Sequence, residues 1–196
     1  PLCGTLKGAA MLVERAGVTL ITINGKSPKI ADSAFIAPGC RIIGDVTIGE
    51  EASIWYNCVL RADVSAIHVG ARSNIQDGSV VHCDGPDPRN PAGYPTFIGD
   101  DVLIGHMAMI HGCTIEDRGF VGLGAIVMNG CTIASDAMLA AGALLTPGKQ
   151  MASGELWGGR PAVKMRDLNE MAIAEMRLGV AHYVQNGKNH ATAIKD

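Results

Sequence analysis

The sequence predicts an all-β fold: a parallel β-helix of triangular cross-section with about six coils, followed by one C-terminal α-helix. Three observations carry that expectation. From residue 30 the chain falls into blocks of six, the phase is lost after residue 167, and the composition suits a narrow interior. Aromatic residues make up only 4% of the chain while glycine reaches 25 residues. A helical or sandwich core usually leans on Phe, Tyr and Trp; many tight turns around Ile, Val and Ala do not need them.

Each of the first six blocks opens with an aliphatic residue, at Ile30, Ile36, Ile42, Ile48, Ile54 and Leu60. The fifth place is small or Val: Ala34, Cys40, Val46, Ala52, Cys58, Val64. Three extra residues follow, and the phase resumes with VGARSN, IQDGSV and a block opening at Val81. A long interruption, DGPDPRNPAGYPT, precedes IGDDVL, IGHMAM and IHGCT, the last one residue short. IEDRGF, VGLGAI, VMNGCT, IASDAM, LAAGAL and LTPGKQ complete the series. A helix has period 3.6 and a strand period 2, so neither gives a strict six. A short strand plus a turn does, with two inward positions per unit. Three units then close one coil, stacked roughly 4.8 Å from the next.

The organisation expected is a lead-in segment over 1–25, the β-helix over 26–165, and a helix with its tail over 166–196. After LWGGRPAVKMRD, Asp167 is placed to cap a helix carrying Leu168, Met171, Met176, Val180 and Val184, ending near Gly187. Cys40 and Cys58 are one coil apart at inward places, and Cys113 and Cys131 repeat that interval, so they read as stacked core thiols rather than disulfides.

With 16 Lys+Arg against 19 Asp+Glu and no basic stripe, a nucleic-acid partner is not expected. No apolar run of membrane-spanning length occurs, and no secretory signal is visible: Val18 to Ile23 is short and follows Glu14. The expected setting is cytoplasmic, in a reduced compartment.

The repeat also gives each polar residue a coordinate. His82 and His111 are both second in their blocks; removing the eleven residues added by the interruption leaves them one coil apart on one file. Arg61 lies one coil below His82 by the same reckoning. His106 belongs to the preceding face, above the block holding Gln76 and Asp77. One face therefore presents Arg61, Asp63, His82 and His111, and its neighbour presents Gln76, Asp77 and His106. Two subunits about a threefold axis can bring these faces together; one prism cannot. Three imidazoles with a position left open form the ligand set of a catalytic Zn2+ site, or of an Fe2+ or Co2+ site. His68 reads as structural, and His182 and His190 as solvated.

RADV, SNIQDGSVVH, IGHMAMIHGCTI and GRPA resemble the γ-class carbonic anhydrase family, over roughly residues 25 to 185. That resemblance, to hexapeptide-repeat proteins, implies a left-handed β-helix and a homotrimer. It implies that His82 and His111 bind the metal from one subunit and His106 from its neighbour. Arg61 and Asp77 would pair across the interface, Asp63 would orient Arg61, Gln76 would sit beside the metal-bound water, and Asn74 and Tyr183 would line the pocket. The reaction implied is hydration of CO2 to bicarbonate, by a water whose pKa the ion lowers from 15.7 to about 7. One departure stands out: Val64 follows Asp63, and the loop after His82 has no glutamate, so the family's proton-shuttle residues are missing. Asp84 and Asp87 are the acidic side chains offered instead. The rival readings are a hexapeptide-repeat acyltransferase using coenzyme A, a metal-dependent thioesterase, and a non-catalytic scaffold.

Overall fold

Six-residue periodicity leaves the chain one economical way to bury its aliphatic positions, which is to wind them inside a prism. The computed structural model describes residues 13–15 and 17–194, and among these the chain does so; Cys3 lies outside the described residues. The first face stacks Val18–Ile21, residues 41–43, residues 59–62, Val80–His82, Met109–His111, Ile126–Val127 and Leu144–Leu145, all parallel. The second runs from Lys29–Ile30 through residues 47–48 and 67–69 to Thr96–Ile98, Thr114–Ile115, Thr132–Ile133 and Gln150–Met151. The third runs from Phe35–Ile36 to Glu155–Gly159, where Ala162–Asp167 folds back antiparallel and closes the end.

Each face thus carries seven parallel rungs, and the closing strand adds an eighth to the third, so the solenoid makes about eight turns rather than six. The rungs beyond the six-coil count lie at both ends: Val18–Ile21 on the first face, and Gln150–Met151 and Glu155–Gly159 on the other two. Val18–Ile21 already pairs with Arg41–Ile43, ahead of the boundary at 26, although the insertion between residues 21 and 29 hides its phase.

Inside the prism, Ile42, Leu60, Val81, Ile110, Val127 and Leu145 stack as one aliphatic file, each fully buried. Ile54, Ile75, Ile104, Val121 and Leu139 form another. Each such side chain contributes about 1.5–3 kcal/mol on burial. The corners take the small residues Cys40, Cys58, Ser79, Ala108, Ala125 and Ala143, because two walls converge there. The five described cysteines are free and buried, as the stacking predicts.

One register break lies close to the histidine file. Gly44 pairs with Ala62 and Val46 with Ile67, so the single residue Asp45 opposes four, Asp63 through Ala66. The three extra residues form a bulge at the corner between the first two faces, and Asp63 is its first member.

The helix, α1 (Glu170–Ala193), is capped by Asn169 rather than Asp167; the Asn169 side chain accepts from the Ala172 N–H. Asp167 is still in the closing strand. The helix also runs past Gly187 to Ala193. Met176 and Val180 face the third face, and Gly187 lets α1 approach Phe35 and Ser53. Met171 is exposed, because it precedes the stretch that packs on the coils. His190 is not solvated: its Nδ1 is 2.8 Å from the Tyr56 hydroxyl, and its ring packs edge-on to Trp55. His182 stays exposed on the helix, and His68 stacks on Phe97.

The closing hairpin supplies a pH prediction. Glu155 accepts from Lys164 (2.8 Å), Trp157 Nε1 (2.8 Å) and the Ala152 N–H (2.9 Å), which hold its carboxyl at about 2 against an ordinary 4.5. A depressed folded pKa contributes stability that is present above the unfolded value and lost as pH falls through the folded one. Glu155→Gln should therefore be less stable than the parent near neutrality, and the two curves should converge as pH drops from 4.5 toward 2. Thermal unfolding across that range checks it; curves that stay parallel would contradict it.

Candidate metal centre

His82 and His111 occupy the same register position on adjacent coils of the first face, with Arg61 one coil below. Strand pairing turns all three outward along one line, since their neighbours Leu60, Val81 and Ile110 point in. The imidazoles meet: His82 Nδ1 lies 3.0 Å from His111 Nε2.

The partners of each ring fix which nitrogens face that gap. His82 Nε2 is 3.0 Å from Asp63 Oδ1, and a carboxylate only accepts, so Nε2 is the donor and Nδ1 carries the lone pair. A second lone pair, on His111 Nε2, would repel it unless a cation lay between them. Ligands bound to a tetrahedral zinc at 2.0–2.1 Å sit about 3.3 Å apart, close to the observed spacing. The donor set therefore fits a metal ion. Among the described residues, Asp84 is grouped with the pair: one possible ligand atom from each of His82, Asp84 and His111 lies within 4.8 Å of the others.

Several side chains hold this arrangement. The Asp63 carboxylate also accepts from Arg61 Nη1 at 2.5 Å. Burial alone would raise its pKa, but the hydrogen bonds from His82 and Arg61 outweigh that and hold it below the usual carboxylate range. The buried Thr96 hydroxyl donates to the His82 carbonyl (2.6 Å) and accepts from the Gly112 N–H (2.9 Å), pinning the two histidine strands together. Thr96 ends the long interruption, where the repeat gives no phase to read. Asn129 stands in the regular block VMNGCT, but nothing in the repeat marks it as a partner of His111; its amide spans His111 Nδ1 (2.5 Å) and Asp84 Oδ2 (2.5 Å). Asp87, the other acidic residue of the loop, accepts from the Arg89 and Asn90 N–H groups and holds a turn instead of facing the histidines.

The remaining predicted residues form a second cluster at the corner between the third and first faces. His106 Nδ1 lies 2.8 Å from Asp77 Oδ2, one coil apart. Asn74 and Gln76 are buried beside them, and Gln76 Nε2 donates to Asn74 Oδ1 at 3.0 Å. Tyr183 arrives from α1; burial, and then the nearby Asp77 carboxylate, raise its pKa. His106 thus does not join His82 and His111 within the chain. Between and around the two clusters lie Val64, Met107, Met109, Leu123 and Met128, all large, apolar and exposed.

Comparison with known proteins bears on the family of the chain. Residues 27–62 match the family model described as bacterial transferase hexapeptide (six repeats). A probable carbonic anhydrase from Methanocaldococcus jannaschii is 51% identical over 156 residues, covering 80% of this chain and 94% of that one. Gamma carbonic anhydrase 2, mitochondrial, from Arabidopsis thaliana is 44% identical over 176 residues, covering 89% of this chain. The chain spans 62% of that plant protein's length. Among solved structures, a hexapeptide transferase family protein from Anaplasma phagocytophilum superposes with a TM-score of 0.81 at 45% identity, covering 87% of this chain and 96% of that one. The paired histidines, their coil spacing and the identity across nearly the whole archaeal relative lead to one conclusion: this chain belongs to the γ-carbonic anhydrase family of hexapeptide-repeat proteins.

Proposed function

We propose that the chain hydrates CO2 to bicarbonate at a Zn2+ site shared between subunits of a homotrimer, His82 and His111 coming from one subunit and His106 from the next. Fe2+ and Co2+ suit the same three imidazoles. The observation that carries this reading is the pair of imidazoles turned to each other at 3.0 Å while His106 sits on a different corner. The exposed apolar residues around both clusters favour a covered surface, since a soluble monomer rarely leaves such a patch open.

When bound, the ion supplies a water acidic enough to ionise near neutral pH. The chain's own residues do the rest. Asp63 holds His82 in one tautomer and keeps Arg61 beside the histidine file. At the other cluster, the Val102 carbonyl accepts from Asn74 Nδ2 at 3.5 Å, and this turns Asn74 Oδ1 to Gln76 Nε2. With its amide nitrogen engaged, Gln76 presents Oε1 as a free acceptor. It would take a hydrogen bond from the reacting water and aim it at the carbon. Tyr183 closes the pocket from α1, and Arg61 would meet Asp77 across the interface.

An acyltransferase needs one histidine whose basic nitrogen faces an acceptor substrate beside the coenzyme A channel. Here the basic nitrogens of His82 and His111 face each other at 3.0 Å, which disfavours that reading. Among the described residues no helix is long and apolar enough to cross a membrane. The free, buried cysteines favour a reducing compartment such as the cytoplasm.

The test is metal analysis with a CO2-hydration assay on anaerobically purified protein. About one metal per subunit is expected. Turnover should climb with imidazole concentration and level off, because neither shuttle position holds a glutamate and buffer must carry the proton. Metal-loaded protein that hydrolyses thioesters and hydrates no CO2 at any buffer level would replace this function with the thioesterase.

A further inference from the structure

We infer that Asn129 is a positioning residue for the metal centre: it fixes the tautomer of His111 so that Nε2 is the nitrogen left to bind the ion. The inference rests on the metal reading above and concerns a side chain that the repeat pattern does not single out.

Asp84 sets the direction of the Asn129 amide. Its carboxylate has no proton to give, so the Asn129 group 2.5 Å from Oδ2 must be the amide nitrogen. That orients the whole amide. Its oxygen therefore faces His111 Nδ1, also at 2.5 Å, and an amide oxygen only accepts. His111 Nδ1 must then carry the ring proton, which leaves the lone pair on Nε2, and Nε2 is the atom 3.0 Å from His82 Nδ1. One carboxylate thus decides, through one amide, which nitrogen of His111 is basic. Asp63 does the corresponding work for His82, so each ring has its own orienting partner.

The backbone makes room for this contact. Gly112 follows His111 at φ +54°, and a Cβ there would lie 2.6 Å from Asn129 Oδ1 and 2.7 Å from Tyr94 Cβ. Only glycine lets the amide reach across. The block IHGCT is one residue short at this same point, and the strand pairing sets Met128 beside His111, so Asn129 lies beside Gly112 and leans back over it. Two departures from the repeat, the missing residue and the glycine, serve one side chain.

The test compares Asn129→Leu, which removes the acceptor while keeping the volume, with the double variant Asp84→Asn, Asn129→Asp, which exchanges donor and acceptor so that an oxygen still faces His111. Two readouts are needed: zinc affinity by competition with a chelator, and the His111 tautomer from 15N NMR of the metal-free protein. Wild type should show the proton on Nδ1. Asn129→Leu should lose that signature and bind zinc about 10–100-fold more weakly, the range for losing an orienting partner of a ligand histidine. The double variant should keep the Nδ1 proton and recover most of the affinity. Wild-type affinity in the Leu variant, or a double variant as impaired as Leu, would overturn the inference. A wild type that binds no zinc would defeat the metal reading instead, and the tautomer measurement would still decide the role of Asn129.

Discussion

His106→Ala is expected to lose its zinc and keep its fold, even though His82 and His111 remain intact. The side chain is 40% exposed and its partner Asp77 is equally accessible, so its removal takes nothing from the aliphatic files. Binding by two imidazoles alone leaves a site short of the three protein ligands that a catalytic zinc needs. His82→Ala should lose zinc as well. The informative step is to mix the two variants and reassemble them. In a closed ring of three, a site is complete when a His106→Ala subunit supplies His82 and His111 and an adjacent His82→Ala subunit supplies His106. Random mixing makes about one quarter of the sites complete. Metal content should rise to that level in the mixture while each variant alone stays near zero. The competing geometry is specific: Asp84 lies within 4.8 Å of both histidines in the same chain. If Asp84 were the third ligand, His106→Ala would keep its metal, and mixing would add nothing beyond the average of the two variants.

Much of this site is legible in the sequence because a six-residue period converts sequence position into position on a prism. Arg61, His82 and His111 fall on one file by subtraction alone, and the strand pairing puts them there. Asp77 and His106 meet across one coil for the same reason. What the period does not encode is anything set by a departure from it. The first coil escapes the count because residues between Ile21 and Lys29 break its phase. Thr96 sits at the end of a long insertion, and Asn129, regular in its own block, meets His111 across a shortened corner, so neither contact is read from the period. The helix follows a different logic. Asp167 and Asn169 are both competent caps, and the antiparallel closing strand, a tertiary feature, occupies Asp167 and leaves the cap to Asn169. His190 reads as solvated from the sequence because its partners, Trp55 and Tyr56, are far away along the chain.

Gly44→Ala should be among the most damaging single substitutions in the coils, and its effect should reach the metal centre. Gly44 has φ +80°, a region that costs an L-residue about 1–2 kcal/mol. A Cβ there would also stand 2.1 Å from the Ala62 carbonyl oxygen and 2.7 Å from its carbon. Backbone cannot swing aside as a flexible side chain can, so the coils must separate at this corner, at a further cost of about 1–3 kcal/mol. Gly142→Ala provides the control. It has a similar φ of +67° and open space within 4 Å, so it bears the conformational cost alone. Chemical denaturation should show Gly44→Ala about 2–5 kcal/mol less stable than the parent, and Gly142→Ala nearer 1–2 kcal/mol. The two should also part in function. Ala62 leads directly into the bulge that carries Asp63, and Asp63 sets the tautomer of His82. Displacing Ala62 should turn Asp63 away and weaken zinc binding in the part of the protein that stays folded, whereas Gly142→Ala should bind zinc like the parent. Equal losses of stability in the two variants would mean that the coil spacing yields at this corner. Unchanged zinc affinity in folded Gly44→Ala would mean that the bulge holds Asp63 independently of the register below it.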